Sequence, residues 1–283
     1  MTRTALLQLT SGDDPAENLP MVQSMVADAA AQGAEFVLTP EVTNCVSTSR
    51  THQNRMLTLE GDDATLAALR AQARDLGVWL LIGSLGLKTG DADGRFANRS
   101  FLIAPDGSVR ARYEKIHMFD VQVTPEETYR ESDGYRPGDR AVVADTPFGA
   151  VGLTICYDVR FPYLHRALAQ AGARILTVPA AFSHVTGAAH WHALLRARAI
   201  ETGCFVLAPA QCGQHVATRG QQRRTYGHSL AVSPWGEVLL DAGEAPGVYL
   251  FDMDAQAIDA ARRKVPSLQH TRPFTPPEPV ARG

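Results

Sequence analysis

Three side chains of this sequence could carry out nucleophilic chemistry together. Cys156 ends the apolar run Val151-Gly152-Leu153-Thr154-Ile155 and precedes Tyr157-Asp158-Val159-Arg160-Phe161-Pro162, after which a helical pattern begins. A residue at such a strand-to-helix turn is held at a sheet edge, where its side chain and the next backbone N–H can address one ligand. A free cysteine is equally often a small buried hydrophobe, and context alone leaves both readings standing. As a nucleophile it would need a base, because the thiolate is the attacking form. None of the nine histidines sits in a signature that couples it to Cys156. The other candidates are Glu41, in Leu38-Thr39-Pro40-Glu41, and Lys115, in Tyr113-Glu114-Lys115-Ile116-His117-Met118-Phe119. Singly each reads as a surface charge. With Cys156, all three stand at the trailing ends of predicted strands, the edge where α/β sheets build their sites.

Positioning these groups requires strands that end together, and the apolar patterning supplies them. Ala5–Leu9 is apolar, Asn18–Gln32 carries Leu19, Val22, Met25, Val26 and Ala29 at helical spacing, and Glu35–Leu38 is a short apolar strand. A helix over Asp62–Leu76, opened by an Asp at a capping position, leads to a long strand, Val78–Leu87. Asn98–Ala104 and Ser108–Tyr113 flank the turn Pro105-Asp106-Gly107 and read as a hairpin, since a parallel crossover needs more chain. Strands follow at Ala141–Ala144, Ala150–Ile155, Ile175–Val178 and Cys204–Ala208, with helices at Tyr163–Ala171 and Trp191–Thr202. Tyr226–Val232 and Glu237–Leu240 form another expected hairpin, and the chain from about residue 266 reads as a Pro-rich arm. Hairpins mixed with helix crossovers exclude a purely parallel Rossmann or TIM arrangement and predict an α/β protein of packed layers with mixed sheets.

Composition narrows the function classes. The chain has 283 residues, 45% hydrophobic and 20% charged, the balance of a folded globular protein, and no repeat or linker divides it, so one domain is expected over 1–283. The net charge of −3 is spread without a block of five like charges, which gives no footprint for nucleic acid. No apolar run is long enough for a membrane helix and the N-terminus does not read as a signal peptide, so a cytoplasmic protein is expected. Neither GxGxxG after the first strand nor GxxxxGK[ST] occurs, so nucleotide binding has no support. The cysteines at 45, 156, 204 and 212 lack CxxC spacing. His190 and His192 point about 200° apart on their predicted helix and cannot form a metal-binding pair, so no metal site is expected.

Pro40-Glu41, the run Tyr113 to Phe119, and Cys156 to Pro162 resemble, in order, the three signature segments of the nitrilase superfamily of carbon–nitrogen hydrolases. The resemblance extends from Leu6 to about Phe274. It implies a four-layer α-β-β-α sandwich that pairs through its outer helices into a homodimer or larger assembly, a Glu-Lys-Cys triad, and no metal or organic cofactor. Carried over, Glu41 is the general base, Lys115 the cation that holds the oxyanion with the backbone N–H of Tyr157, and Cys156 the nucleophile. Glu131, in Tyr129-Arg130-Glu131-Ser132, matches the additional glutamate that orients the lysine and substrate.

The segment after Cys156 is similar to the small-amidase branch, which includes the ω-amidases and the deaminated glutathione amidases, rather than to true nitrilases or carbamoylputrescine-type enzymes. The runs Phe182 to Gly187, Leu195 to Glu201 and Ala210 to His215 resemble the deaminated glutathione amidases most. The implied reaction hydrolyses the terminal carboxamide of a small keto-acid amide to acid and ammonia through a thioester. Deaminated glutathione would give 2-oxoglutarate and cysteinylglycine. The alternatives are α-ketoglutaramate, an N-carbamoyl compound or a nitrile as substrate, and a non-catalytic dimeric scaffold, for which a damaged triad would be expected. Tyr157, together with Phe182 and Thr186 on the loop after Ile175–Val178, is a candidate for binding substrate. Arg160, Arg196 and Arg198 could hold a carboxylate in a guanidinium fork or form structural pairs. Tyr163, His192 and Gly220-Gln221-Gln222 depart from the superfamily pattern.

Overall fold

Along the first strand, Thr2–Gln8, side chains alternate between two apolar surroundings. Leu6 packs with Phe36, Leu38 and Leu81, whereas Ala5 and Leu7 pack with Val37, Leu80 and Ile82. A strand apolar on both faces must be covered on both. The computed structural model, which describes residues 1–125 and 127–278, shows how that is done.

One six-stranded sheet runs, edge to edge, Gly247–Met253, Thr2–Gln8, Phe36–Leu38, Trp79–Lys88, Phe96–Ile103, Val109–Glu114. A second runs Val238–Asp241, Leu230–Val232, Phe205–Ala208, Ile175–Thr177, Val151–Leu153, Val142–Ala144. Each has three parallel strands inside antiparallel neighbours, so both sheets are mixed, as expected. The helices are α1 (Pro15–Ala31), α2 (Arg50–Met56), α3 (Ala64–Leu76), α4 (Pro162–Gln170), α5 (His184–Thr202) and α6 (Gln256–Lys264). Val22, Val26 and Ala29 of α1 and Leu66, Leu69 and Ala73 of α3 cover the outer face of the first sheet. Leu164 and Leu168 of α4 and Trp191, Leu195 and Ala199 of α5 pack on the second. Between the sheets Phe36 stacks on Phe148, ring centroids 4.7 Å apart. The layers are therefore α-β-β-α. Among the described residues no helix is long and apolar enough to cross a membrane.

Several elements differ from the sequence expectation. Helix α5 starts at His184 rather than Trp191, with Gly187 inside its first turns. A Cβ at Gly187 would stand 2.4 Å from the Tyr226 ring, so close packing of that ring selects glycine there despite its low helix propensity. Tyr226 itself belongs to a separate hairpin, Cys212–Gln214 with Arg224–Tyr226, and not to the strand Leu230–Val232. The edge strand Gly247–Met253 and helix α6 were not foreseen: the apolar run Val248-Tyr249-Leu250-Phe251 was an available strand signal that went unread, and α6 has only two buried positions, Ile258 and Ala261. Beyond Val265 the chain to residue 278 has no helix or strand and is largely exposed.

Candidate active site

Glu41 follows the strand Phe36–Leu38 of one sheet, and Cys156 follows Val151–Leu153 of the other. Gly83 lets these ends meet: a Cβ there would lie 2.0 Å from the Thr39 carbonyl oxygen and 2.5 Å from both the Pro40 carbonyl oxygen and Pro179 Cβ. Pro179 in turn accepts the Cys156 backbone N–H at 2.9 Å. Val42 and Cys156 hold φ of +46° and +49°, in the left-handed region that non-glycine residues seldom occupy. Strain of this kind persists only where surrounding contacts over-determine it, and here it fixes the side chains on either side of one point.

The charged groups converge at that point. Lys115 Nζ donates to Glu41 Oε1 at 2.8 Å and to both Glu131 oxygens at 2.8 and 2.9 Å. Glu41 also accepts from Asn98 Nδ2 at 2.9 Å and, through Oε2, from the Ala181 backbone N–H at 2.8 Å. Glu131 Oε2 accepts from the Phe119 N–H at 2.6 Å. Lys115, Glu41 and Cys156 are 2%, 3% and 6% exposed, so these contacts act in a desolvated site.

The environment sets the protonation states. Burial pushes the Glu41 carboxyl up, but the Lys115 and Arg223 charges and hydrogen bonds from Lys115 and Cys156 outweigh it and hold the group below its ordinary range. Burial alone would lower the Lys115 ammonium; Glu131 and Glu41 reverse that and raise it well above the usual lysine value. Burial and the Glu41 charge push the Cys156 thiol well up, against the opposing pull of Lys115 and Arg223. The resting arrangement is a carboxylate, an ammonium and a neutral thiol.

These groups open into a cavity of about 580 Å³, a volume typical of small-molecule sites, which Tyr157, Phe182, Phe119, Tyr129, Arg130 and Arg223 help to line. Gly220 and Gln221 of the lengthened loop also reach it. Thr186 does not: it lies on α5 rather than on a loop, and the cavity lining excludes it. Arg196 donates to the Gly236 carbonyl and Arg198 to Val159 and Glu201, so both are structural. Arg160 stacks on Tyr157 and Phe182 without lining the cavity. Of the arginines that line the cavity, Arg223 is the one whose charge acts on Glu41 and Cys156; its Nη2 donates to the Ala181 carbonyl and its guanidinium lies over Tyr129.

Sequence reasoning missed Arg223, Asn98 and Asp158. Asp158 is fully buried; Oδ2 accepts from Tyr113 Oη at 2.6 Å and the Ile155 N–H at 2.9 Å, while Oδ1 accepts from the His117 N–H at 3.1 Å and lies 2.7 Å from His117 Nδ1. It ties the Cys156 turn to residues two before and two after Lys115. An acidic residue two positions after a strand-end cysteine, inside an otherwise apolar and aromatic run, was the available signal for it.

A carbon–nitrogen hydrolase family profile matches residues 3–263. Deaminated glutathione amidase of Yersinia enterocolitica is 41% identical over 270 residues, covering 95% of this chain and 92% of that protein. Among solved structures, the Caenorhabditis elegans NitFhit protein superposes with a TM-score of 0.88 at 34% identity, over 96% of this chain and 65% of that one. The amidase of Nesterenkonia sp. AN1, from the nitrilase superfamily and solved with acrylamide added to its active-site cysteine, superposes at 0.75 with 29% identity, over 94% of this chain and 98% of that one. Profile, sequence and superposition agree along nearly the whole length, and the chain belongs to the carbon–nitrogen hydrolase family.

Proposed function

We propose that this protein is a cysteine-dependent amidase whose substrate is a small keto-acid amide, with deaminated glutathione first among them. The observation that carries the reading is the convergence of Glu41, Lys115, Glu131 and Cys156 at the floor of one cavity. In the proposed cycle Glu41 takes the Sγ proton as sulfur bonds to the amide carbon, and the carbonyl π pair moves to oxygen. The Lys115 ammonium and the Tyr157 N–H hold that oxyanion, and Glu131 keeps the ammonium in place. The C–N bond breaks as Glu41 returns the proton to nitrogen. Water, deprotonated by Glu41, then attacks the thioester and expels the Cys156 sulfur, which recovers its proton.

Atom balance corrects one expectation. In deaminated glutathione the scissile nitrogen belongs to the cysteine residue, so the leaving amine is cysteinylglycine, and ammonia forms only where the nitrogen is terminal, as in a primary amide, a carbamoyl group or a nitrile. An acidic substrate suits the cavity, because the Arg223 guanidinium lines it and its Nε has no protein acceptor. Tyr157 and Phe182 would pack the substrate chain; Thr186, outside the cavity, is left with no direct role.

The same reading extends to the assembly: one domain with its C-terminal arm, acting in the cytoplasm without metal or cofactor in the reaction, and paired with a second copy through the outer helices. Exposed Tyr163 on α4 gives that layer apolar area for a partner to cover.

The test offers the purified protein deaminated glutathione, α-ketoglutaramate, an N-carbamoyl amine and a nitrile. It reads 2-oxoglutarate with cysteinylglycine for the first and ammonia for the others, each beside Cys156→Ala. Preference for deaminated glutathione, abolished in the variant, is the expected result. Preference for α-ketoglutaramate moves the substrate to the ω-amidase class. Activity above a few percent in Cys156→Ala overturns the mechanism.

A further inference from the structure

On the outer side of the second sheet, away from the cavity, three side chains meet that the hydrolytic chemistry does not use. His192 comes from α5, His228 from the turn before Leu230–Val232, and Asp241 from the end of the neighbouring strand. One ligand atom from each lies within 4.8 Å of the other two. Asp241 stands between the rings: its Oδ2 is 2.9 Å from His192 Nε2 and its Oδ1 is 2.8 Å from His228 Nδ1. We propose that His192, His228 and Asp241 form a binding site for one divalent zinc-class ion, with water in the fourth position.

The chemistry and the geometry both fit. Two imidazole nitrogens and one carboxylate oxygen are a zinc donor set, and such a set with three protein ligands keeps an open position. Bonds of about 2.0–2.2 Å in a tetrahedron hold ligand atoms roughly 3.4 Å apart. Each imidazole nitrogen already stands within 2.9 Å of one Asp241 oxygen, though not the same one, and with all separations within 4.8 Å side-chain rotation brings two nitrogens and a single oxygen to that spacing. Each imidazole shifts to the tautomer with its proton on the other nitrogen, which frees the atom facing Asp241 for the ion.

The supporting groups are built rather than incidental. Asp241 Oδ1 also accepts from the Gly243 N–H at 2.9 Å, and the His228 N–H donates to the Gly243 carbonyl at 2.7 Å. Trp191 Nε1 donates to the His228 carbonyl at 2.8 Å, and the Tyr226 ring stacks on His228 with centroids 4.4 Å apart. Thus held, His228 keeps a φ of +53°, the third strained non-glycine position among the described residues; the other two flank the candidate active site. A hydrogen bond to a ligating carboxylate, as from Gly243 to Asp241, orients a metal ligand. The side chains are 36%, 20% and 34% exposed for His192, His228 and Asp241, which leaves an ion and its water a path in. From sequence no metal site is expected, because His190 and His192 diverge on their helix; the fold instead brings His192 to His228 and Asp241 from other elements. His192 is also one of the departures from the superfamily pattern, so the site would be a feature of this chain.

The experiment titrates metal-free full-length protein with zinc chloride by calorimetry, and with cobalt(II) by visible absorption, in the Cys156→Ala background so that the thiol cannot serve as ligand. One equivalent per chain is expected, with the cobalt spectrum of a four-coordinate site. His192→Gln, on an exposed helix face, and Asp241→Asn should each weaken binding at least about tenfold while circular dichroism shows the fold intact. Absence of stoichiometric binding, or binding that His192→Gln leaves within twofold, would overturn the proposal. Hydrolysis is not read, so its failure and that of the amidase reading are separate.

Discussion

Replacing Asp158 by asparagine keeps the shape of the side chain and removes one charge and one acceptor from a site that receives as many as four donors. With the amide oxygen in the Oδ2 place, Tyr113 and Ile155 stay paired, His117 Nδ1 can turn acceptor, and the His117 backbone N–H faces an NH₂ group. Flipped, the amide keeps His117 and orphans the Ile155 N–H. Either way one buried N–H loses its partner, about 1–3 kcal/mol, and the surviving bonds drop from charged to neutral strength, about 1 kcal/mol each. The sum is about 4 kcal/mol, which for a chain of this size lowers Tm by roughly 8 °C at about 2 °C per kcal/mol. The same contacts fix the Cys156 turn against the Lys115 strand, and a displacement of about 1 Å between reacting groups lowers rate on the order of 100-fold. Differential scanning calorimetry and kcat/KM on the best amide check both numbers. A variant within 2 °C in Tm and threefold in kcat/KM, both order-of-magnitude margins on these effects, would refute the clamp.

Three further outcomes are expected. Arg223→Gln should lower kcat/KM for an anionic amide about 10–100-fold more than for a neutral amide of equal length, the worth of one charged hydrogen bond, and an equal loss for both would remove Arg223 from recognition. Because Glu41 is held below its ordinary 4.5, the base stays ionised as pH falls, so kcat/KM should be flat down to that value wherever circular dichroism shows the fold intact; an acid limb centred at 6 or above would contradict it. His165 and His215 are buried and pushed down from 6.5 to about 4, so above 6.5 both states are neutral, and between 6.5 and 4 only the unfolded chain takes the protons. Stability should therefore fall as pH drops through that window, by roughly 3 kcal/mol per histidine at full extent, and urea midpoints that stay level from pH 7 to 5 would sink this.

The residues proposed to react were legible because they follow strongly apolar strands: Val151–Leu153 before Cys156 and Phe36–Leu38 before Glu41 announce both the sheet and its edge. Lys115 directly follows the hairpin strand Val109–Glu114 and was legible in the same way, whereas Glu131 came from the superfamily motifs rather than from local pattern. What stayed hidden depends on contacts between distant segments. Asn98 reads as an ordinary strand residue until the fold sets it against Glu41 and Glu131. Arg223 sits in a polar stretch whose hairpin could not be read from alternation, and the first turns of α5 were masked by Gly187, a residue chosen by the Tyr226 ring and not by helix propensity. Thr186 was misplaced for that same reason.

The protonation states give the proposed cycle its electrostatic logic. At rest the buried cluster holds Glu41 and Glu131 as carboxylates against the Lys115 ammonium, with Arg223 near enough to lower Glu41. A thiolate formed ahead of substrate would add a further negative charge beside Glu41, and the raised Cys156 value expresses that penalty. When proton transfer accompanies attack, Glu41 becomes neutral as the substrate oxygen becomes negative. The net charge of the site does not change; the negative partner of Lys115 moves from a carboxylate to the oxyanion. In a site this dry, moving a charge between two places that face one fixed ammonium demands far less reorganisation than creating one. Glu131 is what allows the exchange, because its paired hydrogen bonds hold Lys115 while the other counterion changes identity.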